Sequence, residues 1–186
     1  MSYALLIAAW IMYFFLHSFL ATDKVKSKFP GSARNYRLLY SAFSTVALLL
    51  LLFYNAWIGG DRLFGRSDFL KYISLFLAGG GVLIINAAFR NYSARAFLGL
   101  TEEPDQGLVT SGINAWVRHP LYSGTILITL GFFLFDPRAA TLISVACVWI
   151  YLLIGIRLEE RKLILRYGKA YEKYREEVAA IIPFLL

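Results

Sequence analysis

Residues 117–124, VRHPLYSG, bring an arginine, a histidine and a proline to the start of an apolar run that continues through Phe135. Pro120 suits the first turn of a helix, where its missing N–H costs nothing, so a helix is predicted to begin there with its free backbone donors turned outward. A helix start attracts anions, and Arg118 and His119 add donors and positive charge to it. Tyr122 adds a ring with a polar end, and Gly124 lets a ligand or a neighbouring helix approach the backbone. Adjacent Glu159 and Glu160 follow a second apolar run. An anion-binding helix start that faces two carboxylates fits a zwitterionic amino acid moiety, whose carboxylate meets the first and whose ammonium meets the second. A plainer assignment competes with this one. Arg118 and His119 then only end a membrane span at the headgroups, while Glu159 pairs with Lys162 and Glu160 with Arg157 along a solvated helix.

The elements that hold these residues are expected to be membrane helices. Hydrophobic residues make up 59% of the 186, mean hydropathy is +0.59, and the aromatic share of 17% includes Tyr and Trp suited to the water–lipid interface. Five stretches approach the roughly 20 residues that a helix needs to cross. They are Tyr3–Leu20, Leu38–Ile58, Phe69–Phe89, Leu121–Phe135 and Arg138–Ile156. The first has no basic leading segment or small-residue cleavage site, and is taken as a retained span. Asp136-Pro137 turns the fourth into the fifth, predicting a close hairpin, and no helix breaker follows until Gly168. Of the 19 Lys and Arg residues, 15 fall in the first loop, the third loop and the tail. This places the N-terminus outside and the tail in the cytoplasm, with VRHPLYSG on the cytoplasmic side. The +7 charge is thereby assigned to orientation and not to nucleic acid. With His17 and His119 the only histidines and Cys147 the lone cysteine, no histidine-cluster or thiolate metal site and no disulfide framework is expected. The fold class is therefore an all-α integral membrane protein, one domain over 1–186. A three-span half over 1–90 precedes a hairpin and tail over 91–186.

From LVTSGINAWVRHPLYSG, through the apolar hairpin, to EERKLILRYGKAYEKYREEVAAIIPF, the sequence resembles the isoprenylcysteine carboxyl methyltransferase and phospholipid methyltransferase superfamily over about 80 residues. The shared pattern is Leu-Val-Thr-x-Gly, Arg-His-Pro-x-Tyr-x-Gly, paired Glu, and Gly-x-x-Tyr-x-x-Tyr before a late Pro. The resemblance implies S-adenosylmethionine (SAM) held between the cytoplasmic ends of the hairpin. By position, its contacts are Gln106, Leu108, Val109, His119, Tyr122 and Glu159 or Glu160. It also implies a basic residue facing substrate near the end of the fifth span, for which Arg157 is the nearest candidate. Asn114 stands where the family usually has Tyr, and Gln106 where isoprenylcysteine enzymes have His. The opening half, LHSFLATDKVKS and NYRLLYSAFS, resembles bacterial methanethiol S-methyltransferases and related denitrification-associated membrane proteins.

Three further polar groups, His17, Asn86 and Arg90, lie near the same mouth and are assigned to the wall of the acceptor pocket, with interhelical hydrogen bonding as the alternative. Gly79, Gly80 and Gly81 permit close helix packing. Tyr167, Tyr171 and Tyr174 share one side of the tail and are expected to pack it down over the pocket. The expected activity is transfer of a methyl group from SAM to a lipophilic or small membrane-permeable acceptor, an isoprenylcysteine-like carboxylate, a lipid amine or a thiol, without a metal. For a carboxylate acceptor, Arg157 or Arg118 would act as the catalytic-site cation that orients it. Two rivals are an NADPH-dependent sterol-type membrane reductase and a non-catalytic membrane module. The Gly-Glu that marks the reductases is absent after Tyr122.

Overall fold

The computed structural model describes residues 1–90 and 107–183. Among them every helix or strand element is helical: α1 (Ser2–Leu20), α2 (Asp23–Lys26), α3 (Ala33–Ile58), α4 (Asp68–Ala88), a 3-10 turn (Gly112–Ala115), α5 (Pro120–Phe135), α6 (Ala139–Tyr167) and α7 (Lys169–Glu177). Helices α1, α3, α4 and α6 are long and apolar enough to cross a membrane, and α5 is a shorter apolar helix of 16 residues. The chain is an integral membrane protein of the all-α class. Helix ends follow local chemistry. The Ser32 side chain accepts the Asn35 N–H at 3.2 Å and starts α3, and Ser67 does the same for α4 with Leu70. α3 therefore begins before the apolar stretch that hydropathy picks out at Leu38. Gly168 ends α6 with a φ of +54°, a conformation that favours glycine.

The chain forms two compact units. The first comprises Met1–Leu63 and Arg138–Cys147. In it α1 and α3 run antiparallel: the Tyr54 hydroxyl reaches Ser2 O at 3.4 Å, and Tyr36 reaches Leu20 O at 2.6 Å. The start of α6 joins them through a polar ladder: Trp10 Nε1 donates to Ser144 Oγ at 2.9 Å, and Ser144 donates to Asn55 Oδ1 at 2.8 Å. All three residues are buried. Polar side chains in an apolar surround find partners on neighbouring helices, which pins the register of those helices.

The second unit comprises 64–90, 107–137 and 148–183. Here α4 and α5 are antiparallel and nearly touch backbone to backbone. A methyl group built on Gly124 would stand 2.6 Å from Gly81 O, one on Gly81 would stand 2.5 Å from Gly124 O, and one on Gly131 would stand 2.5 Å from Ser74 O. The freedom at Gly124 thus serves a helix contact. α5 and the Val148–Tyr167 part of α6 form the predicted hairpin, with Trp149 Nε1 donating to Thr129 Oγ1 at 2.9 Å and the Tyr122 hydroxyl lying over Gly155. Overpacking a close interface of this kind costs about 1–3 kcal/mol. Gly124→Val is accordingly expected to lower the unfolding temperature in detergent. Gly80→Ala, where a methyl meets nothing within 4 Å, should stay within about 0.5 kcal/mol of the parent.

Candidate functional site

His119 is the residue that precedes α5, and it is buried with its ring between two carboxylates of α6. Its Nδ1 lies 3.5 Å from Glu159 Oε2 and its Nε2 lies 3.4 Å from Glu160 Oε1. The Tyr122 ring stacks on it at 5.4 Å and 12°. α5 and α6 make this possible because they are antiparallel neighbours, so the first turn of one stands beside the polar extension of the other. The carboxylates that the sequence set opposite the start of the fourth span are found there.

Arg118 closes the arrangement. Its Nε and Nη2 donate to Glu160 Oε1 at 2.9 and 2.7 Å, and its Nη1 donates to Arg175 O at 2.9 Å and to Val178 O. Glu160 is thus paired with Arg118 and not with Arg157. The pair is shielded, with side-chain exposures of 9% and 16%. Glu160 lies beyond the apolar part of α6, which ends at Ile156. Burial alone would raise its carboxyl, but the hydrogen bonds and charge of Arg118, followed by those of His119, hold it below the usual carboxylate range. Glu159 points more outward, with 47% of its side chain exposed.

The segment after α7 straps this mouth. The Arg118 N–H donates to Ala179 O at 2.8 Å, the His119 N–H to Ala180 O at 3.0 Å, and Ser123 Oγ to Ile181 O at 2.6 Å. The Tyr122 N–H turns back to His119 O at 3.0 Å. The helix start is therefore less open than its sequence implies. Among the described residues, the Leu121 N–H is the donor of that turn left without a partner. Tyr171 and Tyr174 are buried beneath α7. The Tyr171 hydroxyl lies 3.5 Å from Glu160 Oε1, and Tyr174 donates to Asn114 O at 2.5 Å. Burial and then the Glu160 charge push the Tyr171 phenol up, so it remains a donor. The Tyr174 bond uses a backbone carbonyl, so it is available whichever side chain stands at 114.

Other expected site residues are placed differently. Leu108 and Val109 are half-buried just before the 3-10 turn, while Gln106 lies outside the described residues. Arg157 is exposed on α6, and Asn86 and Arg90 are exposed at the end of α4. In the first unit, His17 sits in an interhelical cluster: Ser44 Oγ is 3.2 Å from Nδ1, and the Tyr40 hydroxyl is 3.1 Å from both ring nitrogens. Tyr13 stacks on His17 at 5.8 Å and lines an open apolar groove of about 410 Å³ between α1 and α3, beside Met12, Phe43 and Leu50. Tyr40, Ser44, Ser123 and the tail carbonyls were not among the expected site residues. Tyr40 and Ser44 had a signal within NYRLLYSAFS, one helical turn apart.

The profile of the family described as NnrU protein matches residues 5–185. A methanethiol S-methyltransferase of Crocosphaera subtropica is 31% identical over 163 residues, which cover 80% of this chain and 61% of that protein. A protein-S-isoprenylcysteine O-methyltransferase of Schizosaccharomyces pombe is 38% identical over 82 residues, 44% of this chain and 35% of that protein. Methanethiol S-methyltransferase 1 of Bradyrhizobium diazoefficiens is 39% identical over 71 residues, 37% of this chain and 24% of that protein. The chain thus spans about three fifths or less of the length of these relatives. They bear out the superfamily resemblance carried by the hairpin motifs.

Proposed function

The chain belongs to the NnrU family, and from this membership we propose that it is a SAM-dependent membrane methyltransferase whose acceptor is a small, membrane-permeable thiol. The observation that carries the cofactor assignment is His119 set between Glu159 and Glu160 at the mouth of the hairpin. The donor set fits SAM. The outward Glu159 carboxylate would take the ammonium, the Leu121 N–H and the His119 ring would serve the carboxylate end, Tyr122 would close one side, and Leu108 and Val109 would line the rest. Glu160 is tied to Arg118 and holds His119 in place. When bound, SAM supplies a methyl group already activated on a sulfonium centre. The protein has to align the acceptor in line with that group and exclude water, and the tail segment over Arg118 and His119 serves the exclusion. The orientation that goes with this function has the N-terminus outside and the site on the cytoplasmic side.

The thiol assignment rests on coverage. A methanethiol enzyme aligns with 80% of the chain, including the opening half, whereas the isoprenylcysteine enzyme aligns with 44%. A thiol also needs no cationic clamp. Arg118 is occupied by Glu160, so for a carboxylate acceptor the available cation would be Arg157. On the acceptor side we retain His17, which adjoins the apolar groove of the first unit through Tyr13, and, as sequence-based assignments, Asn86 and Arg90. Proton balance requires the thiol to lose its proton before or during transfer, and His17 is the base we assign.

Titration calorimetry of the purified protein should show binding of SAM and none of NADPH, and a radiolabelled-methyl assay should label small thiols ahead of prenylcysteine analogues and phosphatidylethanolamine. NADPH binding would give the reductase instead, and SAM binding without transfer to any of the three would leave a non-catalytic module. His17→Ala is expected to keep SAM affinity within about twofold while lowering turnover, the separation seen when binding and chemistry rest on different residues.

A further inference from the structure

Helix α6 has 29 residues, a length of about 44 Å, whereas a hydrocarbon core is about 30 Å thick. The excess lies in the stretch after Ile156, and that stretch is not simply polar. Ile154, Arg157, Leu158, Arg161 and Leu165 recur at i, i+3, i+4, i+7 and i+11, which is one stripe of a helix. All five are exposed, and Leu165 is 87% exposed. The opposite face carries the buried Leu152 and Ile156 and the shielded Glu160. Among the described residues neither Arg157 nor Arg161 has an ion-pair partner.

We propose that the Arg157–Leu165 stripe of α6 is a docking surface for anionic phospholipid, with Leu158 set against the upper acyl chains, Arg157 and Arg161 on the headgroup phosphates and Leu165 against the headgroup layer. A helix surrounded by water has no use for a nearly bare leucine aligned with a transmembrane stripe, and uncompensated guanidinium groups between leucines complement phosphate. Arginine stems lie along apolar surface and carry the charge outward to the headgroup level. The cofactor mouth is built on the other face of the same turns, so it lies at headgroup depth and not out in bulk water. This inference rests on α6 alone and stands independently of the proposed methyl transfer.

Spin labels at Leu165→Cys and at Glu177→Cys, each in a Cys147→Ser background of the full chain, test it in nanodiscs of phosphatidylcholine with and without phosphatidylglycerol. The label at 165 should be shielded from a water-soluble nickel chelate and open to oxygen, while the label at 177 should be open to both. In native mass spectrometry, Arg157→Gln and Arg161→Gln should each reduce retained phosphatidylglycerol about fivefold and leave phosphatidylcholine retention unchanged. Equal nickel access at 165 and 177, retention unaffected by either arginine, or dipolar coupling between labels at 165, which would mean that a second copy covers the stripe, would each overturn it.

Discussion

Replacing Arg118 by Ala is expected to be the most damaging single change in the site, because it removes four donor contacts at once. Glu160 would keep its shielded position without a counter-charge, and the carbonyls of Arg175 and Val178 would lose their donor. Breaking a fully buried pair on one side costs on the order of 3–5 kcal/mol, and this part-buried pair should lose somewhat less. Hydrogen exchange offers a local readout: the amides of Arg118 and His119, bonded to Ala179 and Ala180 in the parent, should exchange much faster in the variant, while those in the middle of α4 should change little. SAM affinity should fall with them. Slow exchange retained at both amides would show that the strap does not depend on the guanidinium. Acid should have a related effect. The folded Glu160 carboxyl lies below its unfolded value, so its contribution is complete above about pH 4.3 and is lost as pH falls through the lower folded value.

His119→Ala and Glu159→Gln come next in size, and they act on the ligand and not on the strap. His119→Ala deletes one charge-assisted contact from a shielded position, worth about 1.5–3 kcal/mol or roughly ten- to a hundredfold in SAM affinity, and Glu159→Gln, whose side chain is 47% exposed, should fall at or below the low end of that range. The two should separate from Arg118→Ala by leaving the Ala179 and Ala180 bonds in place, since those bonds use the backbone N–H groups of Arg118 and His119 and neither the His119 ring nor Glu159. Glu160→Gln should fall between the classes, weakening both SAM and strap. Calorimetry combined with exchange at the two amides sorts the four variants into these three classes. Full affinity in both His119→Ala and Glu159→Gln would remove these side chains from the cofactor assignment.

Much of the hairpin was legible because its ends are written in residue types. Pro120 starts α5, Asp136-Pro137 ends it, and Gly168 breaks α6 from α7. The paired carboxylates and His119 were legible as candidates for the same reason, each being scarce in its surroundings. Their exact pairing was not. Glu160 has Arg157 at helical spacing and Arg118 across the hairpin, and a sequence ranks the local partner first. The strap was hidden more deeply, because its acceptors at 178–181 are backbone carbonyls, which every residue possesses. Likewise Gly81 and Gly124 were each visible as places of close approach, but their apposition depends on the register of α4 against α5, which no local signal sets. The start of α3 was missed because Arg34 and Arg37 fall outside the apolar window, although Ser32 caps it.

The ladder from Trp10 through Ser144 to Asn55 also sets an order of events during synthesis. Asn55 and Ser144 are separated by 89 residues, so at ribosomal speeds of about 5–20 residues per second the opening helices wait roughly 4–18 seconds for the segment that completes them. During that interval the Trp10 indole N–H and the Asn55 amide lack their eventual partner on α6, so the nascent chain must shelter them with water, lipid headgroups or the insertion machinery. A Ser144→Ala chain would never end that wait, and its first two long helices would be left with the surface features that membrane quality-control proteases select.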